Sequence, residues 1–143
     1  MAQQKQIVAL PAPQETCRGQ RHGAALTLLR VLMRQCRAKA RLEPFEACAV
    51  LQHAPHEGAQ PYADALLRIL AQGLARGPVI HRVGAPECSF DENWLLALMD
   101  SISCDDRAST AFLLRARVPL HLRRHVGWLT AQMMQRLTAP ISD

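Results

Sequence analysis

The chain has 143 residues and a formal net charge of +5, and 49% of its residues are hydrophobic. This length fits one domain with a single core, and the hydrophobic content excludes a disordered chain. The longest apolar run, from Trp94 to Met99, is far shorter than the ~20 residues that cross a membrane. Prolines interrupt the apolar start of the chain, so we expect no secretory signal.

Cysteine usage indicates a reducing compartment. The cysteines are odd in number, and no two of them form a Cys-x-x-Cys pair. Disulfide frameworks and zinc sites usually show paired cysteines at short spacing. We therefore expect a cytoplasmic protein without disulfides, bound metal or cofactor, in which the cysteines act as small core residues. The five are Cys17, Cys36, Cys48, Cys88 and Cys104.

Helical periodicity begins after an irregular, proline-containing stretch. Residues 1–20 show no periodicity, so we expect a flexible N-terminal tail. Apolar residues then recur at helical spacing from Gly23 to Arg41, which predicts a first helix. Pro44 ends this helix and suits the first turn of a second one, which runs from Phe45 to His53.

A third helix is predicted from Pro61 to about Arg76, and Gly77-Pro78 ends it. The following residues 79–88 form the longest break in the helical pattern, and they are the one place where we allow a strand. Ser89 and Glu92 then form a capping box, in which each side chain accepts from the backbone N–H of the other. This pair predicts the start of a fourth helix.

Acidic residues mark the next helix start. Asp105 and Asp106 suit a helix N-terminus, because carboxylates there interact favourably with the helix dipole. The fifth helix continues to Arg117. Pro119 begins a sixth helix, which Pro140 ends.

These elements predict an all-α fold, a single-domain orthogonal bundle of about five or six helices. The domain spans residues 21–139, after the tail of residues 1–20, and residues 140–143 form a second tail. Ten apolar residues at helical spacing are predicted to lie in the core. They are Leu29, Leu32, Leu66, Leu70, Leu95, Leu98, Phe112, Val126, Leu129 and Met133.

Charge is unevenly distributed along the chain. Residues 1–42 carry a net charge of +7, residues 43–106 carry −7, and residues 107–143 carry +5. The modest total charge therefore hides a basic, acidic, basic order. The acidic middle segment is an internal partner for the two basic ones.

Four arginines of the first helix, Arg30, Arg34, Arg37 and Arg41, fall on a narrow band opposite its apolar stripe. One hypothesis is a solvated face that the acidic middle segment or a second copy partly neutralises. The other is a binding face for phosphate, an anionic lipid or an acidic partner. Nucleic acid is a weak candidate ligand, because no aromatic residues alternate with these arginines to stack on bases. A membrane surface is weaker still, because the apolar face of this helix has no Trp or Phe to anchor it.

Two histidines of the last helix, His121 and His125, have the i, i+4 spacing of a metal-binding pair. No glutamate follows His121 as in the His-Glu-x-x-His pattern of metalloproteases. The sequence also has no nucleophile elbow and no phosphate-binding glycine loop. We assign no catalytic and no metal-ligating residue.

The second half of the chain contains the run Pro86-Glu87-Cys88-Ser89-Phe90-Asp91-Glu92-Asn93-Trp94-Leu95-Leu96 and the later Ala111-Phe112-Leu113-Leu114. Over about residues 40–137 it resembles small helical proteins of unknown function from alpha-proteobacteria. The resemblance implies a cysteine-containing loop before an acidic helix, and no activity follows from it.

Three functional hypotheses remain. The first is a non-enzymatic cytoplasmic helical protein that binds another macromolecule, which includes a second copy of itself. The second is an anion or nucleic-acid binding protein that uses the arginine band. The third is a small metal-dependent enzyme around His121 and His125.

Overall fold

A computed structural model describes residues 22–36 and 42–138. These residues form six α-helices and contain no β-strand, which confirms the predicted all-α bundle. The predicted tails, residues 1–20 and 140–143, lie outside the described residues. The helices are α1 (Gly23–Cys36), α2 (Pro44–His53), α3 (Gln60–Gly73), α4 (Phe90–Ser103), α5 (Arg107–Arg117) and α6 (Leu120–Thr138).

Side-chain caps fix several helix starts. Pro44 occupies the first turn of α2, as predicted. The capping box of α4 is present, since Ser89 Oγ accepts from the Glu92 N–H at 3.0 Å and Glu92 Oε1 accepts from the Ser89 N–H at 2.9 Å. At α5, the Asp106 carboxylate accepts from the Ser109 N–H at 3.1 Å. These contacts satisfy N–H groups that have no partner within the helix.

One helix boundary and one segment differ from the prediction. The third helix ends at Gly73 rather than near Arg76, because Leu74 is already in an extended conformation. The segment 79–88, the one place where the sequence pattern is compatible with a strand, is a loop. Gly84 within it has a φ of 86°, a turn conformation that glycine adopts without strain. A lone extended segment without a neighbouring strand has no partner for its backbone groups.

One hydrophobic cluster joins the helices. α3 packs against α1, α2 and α6, while α4 packs against α5 and α6. Nine of the ten predicted core residues are buried, and all nine belong to this cluster. Gly73 permits close contact between α3 and α6, because a Cβ at this position would overlap the side chain of Leu122.

Phe112 is the exception, and its predicted core position is wrong. Its side chain is 67% exposed. α5 faces the bundle through the half-buried Leu113 and Leu114 instead, and the Trp94 indole N–H donates to the Leu113 carbonyl at 3.0 Å. Because α5 has apolar residues on two faces, only one of them can face the core.

None of the helices in the described ranges is both long enough and apolar enough to span a membrane.

Candidate interaction surfaces

Arg30 lies inside the protein rather than on its surface. Only 6% of the residue is exposed, and its guanidinium forms two hydrogen bonds to Glu92, from Nε to Oε2 at 2.7 Å and from Nη2 to Oε1 at 3.0 Å. Two further donors, on Nη1 and Nη2, reach the carbonyls of Ala85 at 3.0 Å and Glu87 at 3.1 Å. Arg30 therefore joins α1 to the loop before α4 and to the start of α4.

Glu92 is fully buried at the other end of this ion pair. Burial alone would raise its pKa, but the hydrogen bonds from Arg30, from the Ser89 N–H and from the His81 N–H lower the pKa below its usual value. The pKa of Arg30 is raised, chiefly by its hydrogen bond to Glu92. Both groups are thus charged at neutral pH, and every oxygen of the carboxylate has a donor.

The arginine band of the first helix is therefore not one exposed surface. The prediction that Arg30 is exposed is wrong. The loop before α4 covers this side of α1 and supplies carbonyls, and the start of α4 supplies the Glu92 carboxylate. Arg34 is exposed, as predicted. Arg37 and Arg41 lie outside the described residues. One feature of the sequence indicated an internal partner for Arg30. This feature is the strongly acidic middle segment, which includes Glu92.

A second ionic contact links α5 to the start of α4. The buried Asp91 carboxylate accepts from the Val79 N–H at 2.6 Å and from the Arg117 guanidinium. The same guanidinium lies 5.3 Å from the centre of the Phe90 ring and 5.7 Å from that of Trp94. Arg117 is therefore engaged within the protein and contributes little to an external binding face.

α5 presents an apolar face to solvent. None of its residues is buried. The residues on its outward side, at i, i+3, i+4 and i+7, are Ala108, Ala111, Phe112 and Arg115, and all four are exposed. Asp105, 87% exposed, precedes the helix. Its carboxylate forms an ion pair at 3.9 Å with Arg107, the exposed first residue of α5. This face, which we call the α5 face, is thus apolar at its centre, with an ion pair at its start and an arginine near its end.

The histidine pair lies on α6, in a groove against α2. The His125 ring contacts Phe45 edge to face, with 5.9 Å between ring centres. In the described ranges, no group of three or more His, Cys, Asp or Glu side chains could hold a metal ion. The described residues thus supply no third ligand to the pair, and both histidines line the groove.

Two adjoining cavities make up this groove, and both are lined by Phe45 and His125. The smaller, of about 490 Å³, also contacts Cys48, Ala49, Gln52, Arg124 and Trp128. The larger, of about 700 Å³, reaches Glu43 and His121. Burial raises the pKa of Cys48 to about 11, so its thiol is protonated at neutral pH and unsuited to nucleophilic chemistry.

Comparison with protein-family models, curated proteins and solved structures finds no match. The resemblance over residues 40–137 stays a prediction.

Proposed function

We propose that this chain is a non-enzymatic cytoplasmic protein that acts through self-association, and that the α5 face pairs with the same face of a second copy. The observation that carries this proposal is the exposure of Phe112 on a helix that buries no residue of its own. A surface helix of a soluble protein usually turns polar residues outward. Here three apolar residues and one arginine occupy that side.

The spacing of the exposed apolar residues suits helix pairing. Ala108, Ala111 and Phe112 repeat at the i, i+3, i+4 positions that form the seam of paired helices. The two alanines are small, so the backbone of a second helix can approach closely and leave room for the aromatic ring. Association would remove the Phe112 side chain from water, which stabilises the pair.

The charges at the two ends of the α5 face favour an antiparallel orientation, in which Asp105 would share its ion pair with Arg107 of its own chain and Arg115 of the second copy. Asp105 precedes the helix, and Arg115 lies in its last turn. An antiparallel pair brings Asp105 of one copy toward Arg115 of the other, while a parallel pair brings the two copies of Arg115 together. Antiparallel helices also align their dipoles favourably. A two-fold symmetric dimer follows from this self-complementarity.

The two other hypotheses receive less support. Arg30 is not available to bind phosphate or nucleic acid as part of the arginine band, because each of its three guanidinium nitrogens already donates to Glu92 or to a backbone carbonyl. A metal-dependent enzyme at His121 and His125 has no third ligand in the described residues. No contact of the described chain favours either function over self-association.

Sedimentation equilibrium tests the proposal. A pair of eleven-residue helices gives a small interface, so we expect a dissociation constant on the order of tens of micromolar. Phe112→Ala should weaken dimerisation about tenfold or more, whereas Phe45→Ala, which truncates an equally exposed ring on α2, should leave it unchanged. A wild-type chain that stays monomeric at about 500 µM, or a dimer that is indifferent to Phe112→Ala, would contradict the proposal.

A further inference from the structure

We infer that the smaller cavity between α2 and α6 binds a small aromatic anion. Its volume of about 490 Å³ lies within the roughly 300–1,000 Å³ of typical ligand sites. Three rings from two helices surround it, those of Phe45, His125 and Trp128. An aromatic ligand would place its ring among these side chains and its negative group beside Arg124.

The Trp128 ring is held in place before any ligand arrives. Trp128 contacts Tyr62 edge to face, with 5.9 Å between ring centres, and Tyr62 is fully buried. The Tyr62 hydroxyl accepts from the His56 N–H at 3.1 Å. Phe45 is largely exposed, and its ring contacts His125 edge to face. Binding to a preformed cavity costs little conformational entropy.

Charge selects an anion over a neutral or cationic ligand. Among the described residues, no carboxylate lines the smaller cavity, and Glu43 lies in the adjoining one. Arg124 is exposed and forms no salt bridge with the described residues. Its planar guanidinium matches a carboxylate, sulfonate or phosphate group, which can accept two hydrogen bonds from it. The proposed anion-binding residue is therefore Arg124 on α6 and not the arginine band of α1.

Nuclear magnetic resonance offers a site-specific test. The chain has two tryptophans, so it gives two indole N–H signals. One belongs to Trp94, which donates to the Leu113 carbonyl, and the other to Trp128 in the cavity. The probes are anilinonaphthalene sulfonate and its uncharged relative phenylnaphthylamine. We expect the sulfonate to shift the Trp128 signal at lower concentration than the neutral probe, and to leave the Trp94 signal nearly unmoved.

Variants separate the contribution of charge from that of the rings. Arg124→Gln should weaken sulfonate binding about fivefold or more and change binding of the neutral probe by less than about twofold. Arg34→Gln, which removes an exposed arginine on α1, is the control and should change neither. Phe45→Ala should weaken both probes, while Phe90→Ala, an equally exposed ring elsewhere, should weaken neither.

Two results would overturn the inference. If the Trp128 signal does not move with either probe, the cavity is not a ligand site. If both probes bind equally tightly and Arg124→Gln has no effect, the cavity does not select anions. Neither result tests the proposed self-association, because Phe45 and Arg124 lie outside the α5 face.

Discussion

Replacement of Arg30 by alanine is expected to destabilise the protein by about 3–5 kcal/mol, a large part of the total stability of a domain this size. The substitution leaves Glu92 fully buried and without its counter-charge. It also removes the donors to the Ala85 and Glu87 carbonyls. Urea denaturation of the wild type and the variant measures the difference in free energy of unfolding.

Arg34→Ala is the matched control, because it makes the same change one turn further along α1. Arg34 is exposed, so its loss should change stability by less than about 0.5 kcal/mol. A similarly small loss of stability for Arg30→Ala would contradict the buried ion pair. It would indicate that Arg30 is exposed, as the arginine band predicted.

The same ion pair gives stability a defined dependence on pH. Folding lowers the pKa of Glu92, so its contribution is fully present above the unfolded pKa of about 4.3 and is lost as the pH falls through the lower folded value. Glu92→Gln removes this titration. The stability of that variant should therefore fall less steeply than that of the wild type below about pH 4.3.

Truncation of the core at Leu98 is the second large effect. Leu98 on α4 is fully buried in the common cluster, and Leu98→Ala should cost about 2–5 kcal/mol through lost burial and the cavity left behind. Phe112→Ala, measured at a concentration where the chain is monomeric, should cost less than about 1 kcal/mol, because most of that ring is already in water. A loss below about 0.5 kcal/mol for Leu98→Ala would contradict the core assignment.

Local features of the sequence predicted most of the fold. The start of α2 and the capping box of α4 depend on contacts within three or four residues, so their residue pattern is visible without a structure. The apolar stripes of α3 and α6 each have one dominant face, and that face lies in the core.

The candidate surfaces were harder to predict because they depend on tertiary contacts. Arg30 and Glu92 are 62 residues apart, and no local pattern shows that a loop folds over this side of α1. Phe112 lies on one of two apolar faces of α5, and helical periodicity alone does not decide which one faces the bundle. The cavity at Trp128 requires α2 and α6 to be neighbours, which the sequence does not reveal.

Disulfide trapping at Ala111 tests the pairing of α5 with α5 most directly. The midpoint between Asp105 and Arg115 falls one residue from Ala111, so the two-fold axis passes within about 1.5 Å of this position along the helix. Under mild oxidation, Ala111→Cys should form a dimer in which mass spectrometry finds the two introduced thiols joined. Val50→Cys, at an exposed position on α2, should form no such link. Equal trapping at both positions, or none at Ala111, would contradict association through the α5 face.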